Sequence, residues 1–173
     1  MIKGYDFNLL DLLEQLEREL NEVPFYASSE KNTRGTCLTF ALATISNYLN
    51  KNSEFEGKSY IPSNKYSEVW RNHYFTFYEQ YGIRDAKEIT LKKLLAKVET
   101  NEIYEVCVCC NGGYHSIAII NKKIYSNGQE LTYNKYMNSM FIIRDPKVKA
   151  LVKVEEKDKE YYKKLCIELK LER

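Results

Sequence analysis

The hydrophobic pattern of this chain changes period near Glu102, and the change decides what class of fold it can adopt. Ile103-Tyr104-Glu105-Val106-Cys107-Val108-Cys109 alternates as a strand does. The pattern breaks at Asn111-Gly112-Gly113 and resumes over His115 to Ile120 and Lys123 to Ser126, with Met140 to Arg144 as a later strand. Upstream the period is helical. Leu38, Ala41, Leu42, Ile45, Tyr48 and Leu49 recur every three to four residues from Thr36 onward, with small Ala41 and Ala43 between them, as suits a helix in the centre of a domain. Helices first and a hairpin-connected sheet afterwards predict an α+β fold with an antiparallel sheet.

The remaining segments fit around that frame. Phe7, Leu9, Leu10, Leu12, Leu13, Leu16 and Leu20 form a helical stripe that Pro24 ends, so residues 1–26 read as an N-terminal outer helix. Residues 27–35 read as a loop and 50–63 as a polar linker. An aromatic-rich helix follows from Lys65 to Tyr81, including Trp70, Tyr74, Phe75, Phe77 and Tyr78, and a short helix covers Thr90 to Val98 with Thr90 as its cap. Residues 27–146 make the core, and 147–173 read as a charged C-terminal helix on the surface. With 173 residues the length predicts one domain.

Charge and cysteine content narrow the partners. Twenty-six basic and 24 acidic residues leave a formal charge of +2, so no overall field holds a nucleic acid or an anionic membrane, and binding to either requires a local patch. Neither partner is expected. Apolar runs such as Ser116 to Ile120 are too short to span a bilayer, and Met1-Ile2-Lys3-Gly4-Tyr5-Asp6 lacks the layout of a signal peptide, which predicts a soluble cytoplasmic chain. The five cysteines, Cys37, Cys107, Cys109, Cys110 and Cys166, read as thiols. Strand alternation sends Cys107 and Cys109 to one face and Cys110 to the other, and no Cys-x-x-Cys or His pair completes a tetrahedral site, so neither a metal nor a cofactor is expected.

Cys37 follows Gly35-Thr36 on the first turn of the central helix, where unpaired N–H groups and the positive end of the helix dipole favour a thiolate. His115 opens a strand directly after Gly112-Gly113. With a two-residue turn at Asn121-Lys122, paired residues sum to 243, so His115 faces Gly128 and Ser116 faces Asn127. Asn127 then lies beside His115, where its side-chain carbonyl fixes the imidazole. Asn127-Gly128 reads equally well as an ordinary turn.

The stretches Arg34-Gly35-Thr36-Cys37-Leu38-Thr39-Phe40-Ala41-Leu42 and Gly113-Tyr114-His115 through Asn127 resemble, in layout, the papain-like superfamily of cysteine peptidases and amidases. The interval from His115 to Asn127 is similar to that of bacterial cell-wall amidases of this fold. Ile142-Ile143-Arg144-Asp145-Pro146 resembles bacteriocin-processing and effector peptidases, which points to Asp145 as the alternative third residue, provided residues 128–139 form an excursion. The resemblance implies a nucleophile Cys37, a base His115, and Asn127 or Asp145 orienting it. Asn32 stands five residues before Cys37, where such enzymes commonly carry a Gln as oxyanion donor. The activity implied is acyl transfer on a protein or peptide substrate, as a peptidase, isopeptidase, amidase or deamidase, or as a transferase. An effector delivered into a host cell, or a phage counter-defence protein, fits this size. The alternative is a non-catalytic interaction module that uses the aromatic segment 70–81 and the C-terminal helix as contact surfaces. Nothing in the sequence specifies an oligomeric state.

Overall fold

Three two-residue turns build the sheet. Asn111-Gly112, Asn121-Lys122 and Asn127-Gly128 all adopt positive φ at both positions, between 49° and 77°. This left-handed pair matches the twist of the strands on either side, and Asn and Gly enter it at the least cost. The structure, a computed structural model, describes residues 25–26, 37–58, 64–73 and 89–173. In it β1 (Ile103–Cys110), β2 (Gly113–Ile120), β3 (Lys123–Ser126) and β4 (Gln129–Leu131) follow one another through these turns. The chain then runs through helix α4 (Tyr133–Ser139) to the far edge, where β5 (Lys147–Val154) pairs with β1, giving the antiparallel order β4-β3-β2-β1-β5. The expected α+β class, with helices and an antiparallel sheet, is what forms.

Helix α1 (Cys37–Asn50) is buried nearly all round, from Leu38 through Asn47. A helix without a solvent face belongs in the interior, and α1 packs on β2, β1 and β3 and against the terminal helix α5 (Lys159–Glu168). Leu42, Ile45 and Leu49 meet Ala118, Ile120, Val152 and Val154 on this side of the sheet. Helix α2 (Asn64–His73) adds Val69 to the same cluster. The other face is covered by α3 (Leu91–Lys97) and α4, whose Leu91, Leu94 and Tyr136 pack with Val106, Val108, Ile117 and Ile119. With both faces covered, the continuous apolar run at the end of β2 is buried throughout.

Polar side chains in α1 fasten the connection that follows it. Asn47 Nδ2 donates to the Phe25 and Phe55 carbonyls at 2.9 and 2.8 Å, and Asn47 Oδ1 accepts the Phe55 N–H at 3.0 Å. Thr39 Oγ1 accepts from Lys58 N at 3.0 Å and donates to its carbonyl at 2.7 Å. Between these anchors Gly57 lies against the ring of Phe40, where a Cβ has no room. Gly57→Ala is therefore expected to cost about 1–3 kcal/mol through overpacking, read as a lowered urea midpoint at unchanged slope.

Two expectations are corrected here. Residues 147–173 are not one helix: residues 147–154 form β5, and the helix begins only at Lys159. Lys147, Lys149 and Lys153 are the exposed positions of an edge strand, whose alternation is disturbed by a register shift opposite Cys107 and Val108. The strand expected over Met140 to Arg144 does not form, and these residues make an irregular connection. Thr90 caps α3 as expected, accepting from Lys93 N at 3.5 Å. The N-terminal helix, the loop over 27–35 and the aromatic segment beyond His73 lie outside the described residues. Among the described residues no helix is long and apolar enough to cross a membrane.

Candidate functional site

Cys37 is the first residue of α1 and is half-buried. Cys107, Cys110 and Tyr136 all lie within electrostatic range of it. Burial pushes the Cys107 thiol up to about 12 and raises those of Cys110 and Cys166 as well. These three behave as packed thiols. Cys107 joins the cluster on the α1 side of the sheet and Cys110 the cluster on the α3 and α4 side, as alternation requires. A recess of about 340 Å3, lined by Cys109, Cys110, Asn111, Gly112, Gly113 and Tyr114, opens beside them. No group of three metal-ligating side chains occurs among the described residues.

His115 lies on β2 opposite Val108, and Val108 packs in the α3 and α4 cluster, so the imidazole stands on that face. It is 6% exposed, and burial pulls its pKa down to about 4, which leaves a neutral ring at pH 7. Nε2 is 2.9 Å from Ser126 Oγ. The ring also stacks on Tyr136, with centroids 6.1 Å apart and planes inclined at 23°. The Tyr136 hydroxyl is buried without a hydrogen-bond partner among the described residues. Its pKa is raised, first by burial and then by the neighbouring thiols.

The His115 ring stacks on Tyr136, whose hydroxyl is within electrostatic range of Cys37, and among the described residues no hydrogen bond joins Cys37 and His115 directly. The expected third residues are placed elsewhere. The register sums to 243, as expected, but the β2–β3 ladder ends at Ala118 and Tyr125, and the group bonded to the imidazole is Ser126. Asn127 occupies the left-handed turn position at φ 51°, with Oδ1 buried and without a partner among the described residues. Residues 128–139 do form an excursion, of β4 and α4. Asp145, however, accepts the Lys92 backbone N–H and the Tyr133 hydroxyl through Oδ1, each at 3.0 Å, and so holds the start of α3 and that of α4 together. Asn32 lies outside the described residues.

A second polar constellation was not anticipated. His73, at the end of α2, places Nε2 2.8 Å from Glu105 Oε2 and Nδ1 2.6 Å from the Tyr161 hydroxyl. Tyr162 donates its hydroxyl to Glu105 Oε1 at 3.0 Å. Both ionisable side chains are almost wholly buried. The signal was present in the sequence: Glu105 is an acid on an inward strand position, and a buried acid requires a partner.

No protein-family model, curated protein or solved structure matches this chain.

Proposed function

We propose that the protein is a cysteine-dependent acyl-transfer enzyme of papain-like layout acting on a protein or peptide substrate. What supports this reading is that Cys37 opens the central helix while His115, bonded to Ser126, stacks on a tyrosine within electrostatic range of Cys37. In the proposed reaction the Cys37 sulfur adds to an acyl carbon while its proton passes to His115. The leaving amine departs with that proton, and water or a second amine then releases the acyl group from sulfur. With its proton on Nε2, donated to Ser126 Oγ, the imidazole keeps Nδ1 as the acceptor. Ser126 is then the orienting partner in place of Asn127 or Asp145. The Tyr136 hydroxyl, buried without a hydrogen-bond partner among the described residues and within electrostatic range of Cys37, supports the reading further as a donor available to an oxyanion.

Thiol mapping tests the assignment without knowledge of the substrate. At pH 6, iodoacetamide is expected to alkylate Cys37 at least about tenfold faster than the other four cysteines, as judged by mass spectrometry of the digested protein. Equal rates at all five would remove the basis for Cys37 as nucleophile. Labelling of Ser126 by a fluorophosphonate would transfer the role to the hydroxyl already bonded to His115.

A further inference from the structure

The connection from α4 to β5 exposes two large apolar side chains, Phe141 at 86% and Ile143 at 96%. Their backbone is held in place. Phe141 N donates to the Asn138 carbonyl at 3.2 Å and Ile142 N to that of Met137 at 2.9 Å, while Phe141 sits at φ 53°, a conformation costly for a bulky residue. Asn111 Nδ2 bonds the Met140 carbonyl at 2.8 Å, which ties in the β1–β2 turn beside Tyr114, itself 68% exposed.

Exposed cations belong to the same loop and to the elements bonded to it. Leu91 N donates to the Pro146 carbonyl at 2.8 Å and Lys92 N to Asp145 Oδ1 at 3.0 Å, so the first turn of α3 lies against the loop and presents exposed Lys92 and Lys93 there. Arg144 and Lys147 are exposed within the connection itself and at its end. None of these four forms an ion pair among the described residues. Asp145, the acid of the loop, is engaged by Lys92 N and the Tyr133 hydroxyl.

We infer that this face docks on an anionic lipid surface, with Phe141 and Ile143 entering the interface and the four cations meeting lipid headgroups. The apolar side chains protrude from the surface, the shape that a fluid acyl boundary accommodates. Lys and Arg place their charges at headgroup level, and an aromatic with a polar tip such as Tyr114 suits the same depth. A net charge of +2 predicts no such attraction for the chain as a whole, but the local patch provides it. The inference is independent of the proposed chemistry, and its test uses no activity.

Sedimentation with vesicles of phosphatidylcholine containing about one third phosphatidylserine is the experiment. The wild type is expected to partition onto these vesicles and not onto pure phosphatidylcholine. Arg144→Ala and Lys147→Ala should each weaken partitioning about fivefold, and Phe141→Ser with Ile143→Ser should reduce it by at least about tenfold. All these positions are exposed, so circular dichroism should be unchanged. No wild-type sedimentation would overturn the inference, and so would sedimentation unaffected by the double serine change. Binding to polyglutamate without binding to vesicles would overturn it in favour of an acidic protein partner.

Discussion

Cys37→Ala is expected to abolish turnover, by roughly 10⁴-fold or more, while leaving the unfolding transition in place. The measurement is product formation on whatever peptide or protein substrate the wild type proves to process. Covalent capture by a vinyl sulfone, mapped by mass spectrometry, gives a second readout. Cys107→Ala and Cys110→Ala should instead lower stability, since both thiols are packed among core residues. On the proposed reading, Ser126→Ala should reduce turnover and keep the nucleophile reactive, because it removes the group bonded to His115 Nε2. If Cys37→Ala retains full turnover, the nucleophile lies elsewhere.

The same assignment has a pH signature. His115 is depressed to about 4 by burial, so it remains able to accept a proton until the pH falls through that value, and the acid limb of kcat/KM should lie near pH 4. Stability follows the matching sign. The unfolded chain takes up this proton near the ordinary value of about 6.5, whereas the folded chain does so only near 4. The contribution of this group to stability is therefore complete above about pH 6.5 and is lost as the pH falls toward 4. His115→Phe should flatten that part of the stability profile.

Glu105→Ala is expected to cost about 3–5 kcal/mol, the largest single effect on stability. It removes the carboxylate that both His73 and the Tyr162 hydroxyl bond, at a position with no access to water. Chemical denaturation gives the loss directly. A double-mutant cycle with His73→Leu and Glu105→Leu separates the pair from its packing, and the double variant should be more stable than either single one. Losses that simply add would mean that the pair contributes no coupling.

Much of the sheet was legible because its determinants are local. Asn-initiated two-residue turns and alternating apolar residues specify hairpins within a few positions of one another, and the register sum of 243 came directly from the Asn121-Lys122 turn. The same register also carried the hydrogen-bonding partner of His115. Residues opposite one another share a face, so the face of His115 holds Gly128, Ser126 and Ile124, whereas Asn127 pairs by number with Ser116 and belongs to the other face. Side-chain parity pointed to Ser126. Asp145, the alternative orienting acid, accepts the Lys92 N–H in the first turn of α3, 53 residues upstream, and no short-range pattern encodes that contact.

Sequence alone determined the central helix with Cys37 on its first turn and the hairpin sheet, because periodicity and turn chemistry act over a few residues. Tertiary structure alone decided which strand fills the far edge beside β1, that the His115 ring stacks on Tyr136, and that Glu105 meets His73. Each of these depends on elements that are distant in sequence coming together as apolar faces leave water. A lysine-rich edge strand carries the same letters as a surface helix until the sheet supplies its hydrogen-bonding partner.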